Sequence, residues 1–176
     1  MTAAPRAPIP TPRLVLEPVS HAHDGDLFQA SLASRAELLP WMPWALDLSM
    51  DSQSAYADRA VSEWESGSPA FAITELGAAI GVIGLIRGSE SVYEIHYWLA
   101  TDRTGRGHAT EAAQALPAWA RCALGARRIV LHAGTENRRS LAVAERLGFV
   151  RDGELQGGMT GGSVAVFPAY SHHLDL

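Results

Sequence analysis

The chain predicts a mixed α/β domain: a central, mostly antiparallel sheet of about seven strands with helices on both faces. Three observations predict it. Short segments of alternating or apolar pattern at residues 13–19, 70–74, 79–86, 91–100 and 128–132 interleave with longer helical patterns at 20–39, 51–65, 107–124 and 137–147. Glycine or proline punctuates most of the junctions. The length of 176 residues, 47% of them hydrophobic, supports one such core and leaves little room for a second.

The elements follow in order. Residues 1–11 are proline-rich and predict a flexible arm, and residues 12–175 a single domain. The helix over 20–39 stops at Pro40. Leu39-Pro40-Trp41-Met42-Pro43-Trp44 cannot be regular helix, because two prolines interrupt it. Gly67 closes the next helix, and Glu75-Leu76-Gly77 turns one strand into another. A helix opens at Gly107 or His108 and runs toward Leu124. Pro117 lies inside it and removes one hydrogen bond, at roughly 3 kcal/mol if the helix stayed straight, so a kink is expected. The strands at 91–100 and 128–132, joined through that helix, should pair in parallel. Gly148 caps the helix over 137–147. One strand starts at Phe149, and another over 163–174 ends the pattern.

Composition excludes several functions. The single cysteine, Cys122, rules out an intrachain disulfide and a multi-thiolate zinc site, and it reads as a buried helix residue. His172 and His173 face opposite ways on a strand, so no metal site is expected. Every basic side chain is arginine. The absence of lysine excludes a Walker-type phosphate loop and Schiff-base chemistry. The longest apolar run, 78–86, is too short to span a bilayer, and the N-terminal segment lacks a signal core. A cytoplasmic protein with no membrane partner is expected. The net charge of −5 hides a split: −7 over residues 1–100, +5 over 101–151 and −3 over 152–176. The basic block suggests a polyanionic small ligand, while the acidic remainder argues against nucleic acid. The acidic first hundred residues predict a cationic acceptor.

The most informative stretch runs from Tyr93 through Ala112, a strand entering a two-glycine turn and then a helix. Amide N–H groups at a helix start are unpaired and favour phosphate, and glycine lets the backbone approach an anion closely. Thr104-Gly105-Arg106-Gly107-His108-Ala109 resembles the acetyl-CoA pyrophosphate loop of the GNAT acetyltransferases, with Thr104 standing where that family has Arg or Gln. Asn137-Arg138-Arg139-Ser140 through Arg146-Leu147-Gly148-Phe149 resembles the family's second signature. The segments 94–99 and 39–44, with Tyr170-Ser171 near the end, resemble its RimJ/RimL-like branch, which acetylates protein N-termini or small amines.

That resemblance implies a GNAT fold and acetyl-CoA as cosubstrate. The main chain at Leu99, Ala100 and Thr101 would run beside the pantetheine arm. Thr104, Gly105, Arg106, Gly107, His108, Ala109 and Thr110 would hold the pyrophosphate, and Asn137 would bond the pantetheine amides or the acetyl group. Ser140 stands where the branch reaches the coenzyme sulfur and is the candidate for thiolate protonation; the alternative is a helix serine bonded to its own backbone. Glu94, His96 and Trp98 share one strand face, so a carboxylate and an imidazole lie together as candidate general bases. His96 stands where the branch has glycine. Trp41, Trp44 and Trp98 either line the acceptor mouth or pack an irregular loop. The expected function is acetyl transfer to a primary amine, on a peptide or a small molecule, directly in a ternary complex. A CoA-binding module that regulates without catalysis is the alternative. A homodimer is compatible with either.

Overall fold

A computed structural model describes residues 4–159 and 163–174, with side chains of residues 152 and 154–171 outside the description. The elements are β1 (Ile9–Pro10), β2 (Val15–Pro18), α1 (Asp24–Ala33), α2 (Arg35–Leu38), α3 (Met50–Glu65), β3 (Ala70–Glu75), β4 (Ala78–Arg87), β5 (Val92–Leu99), α4 (His108–Leu124), β6 (Arg128–His132), α5 (Arg138–Arg146), β7 (Val150–Met159) and β8 (Ser163–His173). They form one sheet in the order β1-β2-β3-β4-β5-β6-β8-β7. Every described neighbour pair is antiparallel except β5–β6, which is parallel as the crossover through α4 requires. The two-residue β1 brings the count to eight.

Alternation along the strands sorts the core into two layers. Phe71, Ile73, Ile83, Leu85, Tyr93 and Ile95 point to the face covered by α4 and α5, where Ala112, Ala113, Leu116, Ala120, Val143 and Ala144 meet them. Ala70, Ala72 and Val82 point to the opposite face, against Leu27 of α1 and Ala57 and Ala60 of α3. Each fully buried large side chain of these layers contributes roughly 1.5–3 kcal/mol. The α4 stripe recurs at 112, 116 and 120, and the helix continues through Pro117 to Leu124. Cys122 lies two residues past Ala120, about 200° around the helix, and is exposed rather than buried as expected.

The helix expected over 20–39 is divided. A 3₁₀ turn at His21–His23 precedes α1, and the chain leaves helical geometry at Ser34 before α2. The reason is tertiary: the buried Ser34 hydroxyl accepts the Thr101 N–H at 2.9 Å, pinning this corner to the end of β5. The next helix, α3, starts as its sequence dictates, with a reciprocal Ser49–Ser52 capping box.

Within the segment expected as a flexible arm, residues 5–8 are exposed, while Ala4 is buried and Ile9–Pro10 pairs with β2; residues 1–3 and 175 lie outside the described residues. The buried Trp64 indole donates to the Ala4 carbonyl at 3.0 Å, because a buried N–H needs an acceptor. Arg6 stacks over the same ring. Residues 10–13 then cross to the first turn of α4. There Glu111 accepts from the Thr11 hydroxyl, the Arg13 amide and the Arg13 Nε, each at 2.7 Å.

Burial pushes the Glu111 carboxyl up, but those donors and the Arg13 charge outweigh it and hold the group below its ordinary value. A depressed carboxyl contributes stability that is present above the unfolded value and is lost as pH falls through the folded one. Glu111→Gln should therefore cost roughly 1–2 kcal/mol at neutral pH, discounted because the Arg13 guanidinium is half exposed. Urea unfolding at a series of pH values should show the gap between wild type and variant closing below the ordinary carboxylate range. A gap independent of pH would mean that packing alone holds this strap.

Candidate functional site

The site originates in a sheet that stops pairing. β5 and β6 are in register for three residue pairs, the last being Glu94 with Val130. Beyond them β5 runs on to Leu99 and β6 to His132 without each other. Past Glu94 one hydrogen-bonding edge of β5 is left without a strand partner. A cleft of about 1170 Å³ opens there, between residues 94–99 on one side and 131–134 on the other.

The wide end of the cleft is the glycine turn. Gly105 and Gly107 have φ of 75° and 82°, left-handed values that favour glycine. The first helical bond of α4 runs from the Glu111 amide to the Gly107 carbonyl, so the amides of residues 108–110 are unpaired by the helix. The turn is braced from below by Glu75, which takes Arg103 Nη1 at 2.8 Å and His108 Nε2 at 3.2 Å. From above, Arg13 Nη1 donates to the Arg106 carbonyl at 2.9 Å. The Thr104 hydroxyl is spent on the Thr101 carbonyl at 2.8 Å, closing the preceding 3₁₀ turn.

Along one wall, α5 begins at Asn137, whose side-chain oxygen accepts the Ser140 N–H at 3.1 Å as an N-cap. That uses one lone pair of the oxygen and leaves the NH₂ to donate to a ligand. The Ser140 hydroxyl shares a 2.8 Å hydrogen bond with the Tyr97 phenol. Ser140 is thus bonded to a side chain on β5 and presented to the cleft, rather than turned back onto its own helix. Burial pushes the Tyr97 phenol up to about 12, against a smaller lowering by Ser140.

Across the sheet, Glu94 and His96 do share a face, but they are not bonded as a pair. Glu94 Oε1 lies 3.0 Å from Nδ1 of His132 on β6. The His96 ring covers Gly84 on β4, where a Cβ would come within 2.6 Å of its Nε2. Burial pushes the His96 imidazole below its ordinary value, partly offset by the Glu94 charge. Trp41 lines the cleft with its ring against Gly134, where a Cβ would lie 2.8 Å away. Trp98 also lines it, while Trp44 does not. Trp44 packs against Trp98 with centroids 5.5 Å apart and the rings tilted by 56°.

Of the residues singled out in the sequence, Glu94, His96, Leu99, Thr104, Gly105, Gly107, His108, Ala109, Thr110, Asn137 and Ser140 meet in this cleft. Ala100, Thr101 and Arg106 do not line it. The Ala100 and Thr101 amides are taken by the Ile80 carbonyl and the Ser34 hydroxyl, and their carbonyls accept from Arg103 and Thr104. The arginines that do line it are Arg13, Arg103, Arg138, Arg139 and Arg146, against two lining acids, Glu94 and Glu111. Of the acids in the first hundred residues, only Glu94 lines the cleft. Sequence reasoning missed Arg13, Tyr97 and His132. For His132 a signal existed: with β5 and β6 parallel, it falls two residues beyond Glu94's partner Val130, on the same face.

A family model described as "Acetyltransferase (GNAT) domain" matches residues 13–150. The chain belongs to the GNAT acetyltransferases. Among solved structures, this GNAT chain is similar to RimL, the ribosomal L7/L12 α-N-protein acetyltransferase in complex with coenzyme A, at 23% identity and TM-score 0.89, covering 96% of this chain and 99% of that one. It is also similar to Mycobacterium smegmatis RimJ in complex with CoA-disulfide, at 24% identity and TM-score 0.85, covering 96% and 86%. The microcin C7 self-immunity acetyltransferase MccE, in complex with acetyl-CoA and AMP, follows at 19% and 0.86, covering 93% of each chain. At these identities the likeness is one of fold. YdaF of Bacillus subtilis (strain 168) is 36% identical over 66 residues, a match spanning 38% of this chain and 36% of that relative's length. No helix among the described residues is long and apolar enough to cross a membrane.

The raised Tyr97 phenol has a stability consequence. A group raised on folding contributes stability that is present below its unfolded value, near 10, and is lost as pH rises through the folded value of about 12. Wild type should therefore lose more stability than Tyr97→Phe between those limits in denaturant titrations. Parallel alkaline limbs would mean that the phenol is as exposed as in the unfolded chain.

Proposed function

We propose that this chain is an acetyl-CoA-dependent N-acetyltransferase that moves an acetyl group directly to a primary amine, the α-amine of a protein N-terminus. The observation that carries the reading is the split between β5 and β6, which opens onto a left-handed glycine turn at the start of a 17-residue helix. That combination suits a ligand with an anionic end and an extended, amide-bearing arm. The amides at the start of α4 meet the anion, and the unpaired edge of β5 meets the arm. Five lining arginines agree with several phosphate charges. The fit is supported by His108, which lines the cleft and keeps Nδ1 buried with no partner among the described residues, a polar atom left for a ligand to satisfy.

Acetyl-CoA, when bound, supplies the thioester acyl group. Gly105, Gly107 and the amides of His108, Ala109 and Thr110 hold the pyrophosphate, and Asn137 donates toward the pantetheine arm. Ser140, bonded to Tyr97, gives a proton to the leaving sulfur; the phenol stays protonated throughout the neutral range and supports that role. The amine enters from the opposite face, between Trp41 and Trp98. No covalent enzyme intermediate is needed, and the exposed Cys122 on the outer face of α4 is not called upon. The protein α-amine is favoured over a small molecule by the likeness to RimL, a ribosomal L7/L12 α-N-protein acetyltransferase, which covers 96% of this chain.

Thiol release from acetyl-CoA with a panel of peptides and small amines tests the reading, with mass spectrometry locating the acetyl group. Acetylated peptide α-amines are expected. A chain that binds CoA yet releases no thiol with any amine would be a CoA-binding module instead.

The loop assignment has its own test. Gly107→Asn and Gly107→Asp introduce side chains of equal size, both tolerant of the left-handed region, and only Asp brings charge. Calorimetry should show CoA binding to Asp at least about tenfold weaker than to Asn, about 1.4 kcal/mol. Equal affinities would move the phosphates away from this turn.

Ser140→Ala should lower kcat about tenfold or more while leaving CoA affinity unchanged. An unchanged kcat would return the serine to its helix.

A further inference from the structure

The cleft runs through the sheet, and its two faces carry different chemistry. On the α4–α5 face, Tyr97 packs with the larger core and holds Ser140. On the other face, Trp98 packs with the α1–α3 layer, and Glu94 holds His132. Glu94 belongs to the last β5–β6 pair before the strands part, and His132 is the last residue of β6. The two therefore lie where the cleft narrows, at the end away from the glycine turn. A chain-like ligand anchored by its phosphates at the wide end points its reactive terminus toward them.

We propose that His132 is the general base that takes the proton from the incoming ammonium, and that Glu94 is a positioning residue that fixes its tautomer. This rests on the acetyltransferase reading above. A carboxylate 3.0 Å from Nδ1 makes that nitrogen the N–H donor and leaves the lone pair on Nε2. The imidazole is half-buried and lines the cleft. His132, Ala133 and Gly134 follow one another along its edge, and Trp41 lies on Gly134, so the base sits beside the aromatic wall of the amine's entrance. Of the two histidines, His96 is covered against Gly84 and is not bonded to the carboxylate, so it lacks the orientation that His132 has.

The step balances. The ammonium gives one proton to His132 Nε2, which later returns it to solvent. The freed nitrogen lone pair forms the N–C bond to the thioester carbon as the C–S bond breaks. The tetrahedral adduct's nitrogen loses its second proton to solvent water, while Ser140 gives its proton to the leaving sulfur and is reprotonated from solvent, so the net release is one proton. No oxidant or metal is required.

The test uses the full chain with acetyl-CoA and the amine found by thiol release. His132→Ala should lower kcat/KM about 100-fold, with CoA affinity unchanged by calorimetry. Added imidazole should restore a concentration-dependent part of the rate. His132→Gln, which can still donate to Glu94 but accepts no proton, should be as slow as His132→Ala. Glu94→Gln should cost less alone, add nothing to His132→Ala, and weaken the imidazole rescue, which a purely structural carboxylate would not do. An active wild type with His132→Ala within about threefold of it, or a defect that imidazole leaves untouched, overturns the inference alone. A wild type that binds CoA but releases no thiol overturns the acetyltransferase reading and this inference with it.

Discussion

The architecture of this site depends on a pairing that ends early. A parallel β5–β6 ladder of only three residue pairs holds the two halves of the sheet together, and its termination opens the cleft. Longer pairing would satisfy more backbone groups and close the opening. The strands are kept apart by what each is tied to instead. The chain after β5 is drawn aside by Ala100 and Thr101, bonded to Ile80 and Ser34. The chain after β6 is held by the Asn137 amide on the Gly134 carbonyl and by the α5 cap.

Several interactions that look decorative on their own serve that opening. Glu75 ties Arg103 and His108 beneath the glycine turn, and the Arg13–Glu111 cluster ties the N-terminal strap above it. Both carboxylates are largely covered and both are paired with cations, which is what burial of charge demands. The result is a turn whose backbone amides are aimed outward by groups that do not themselves need to touch a ligand. The same economy appears at Gly84, where the absence of a side chain makes the space that the His96 ring fills.

In the reaction we propose, the two faces of the split sheet would separate the two proton transfers that acyl transfer to an amine requires. A hydroxyl pair lies on one side and an imidazole–carboxylate pair on the other. Placing donor and acceptor on opposite faces prevents their direct neutralisation, and the acyl group is the point where the two chemistries meet. The family model places the chain among the GNAT acetyltransferases.

What the sequence by itself determined was local. The strands and helices came from period-2 and helical patterns. The parallel pairing came from the intervening crossover helix, and the left-handed turn at the start of α4 from two glycines before a helix start. Asn137 as the head of α5 and Gly148, at φ 73°, as its end were legible for the same reason: caps are made by residues within a turn of each other. The tertiary structure decided the partners. Tyr97 and Ser140 are 43 residues apart and Arg13 and Glu111 are 98 apart, and no periodicity links them. The burial of Ala4 depended on an acceptor for Trp64, and the break at Ser34 on a donor from Thr101. Glu94 offered two histidines in the sequence, one on its own strand and one on the next. Face-sharing along a strand leaves side chains two residues apart with a pleat between them, whereas a neighbouring parallel strand brings an imidazole within hydrogen-bonding distance, and only the folded sheet sets that distance.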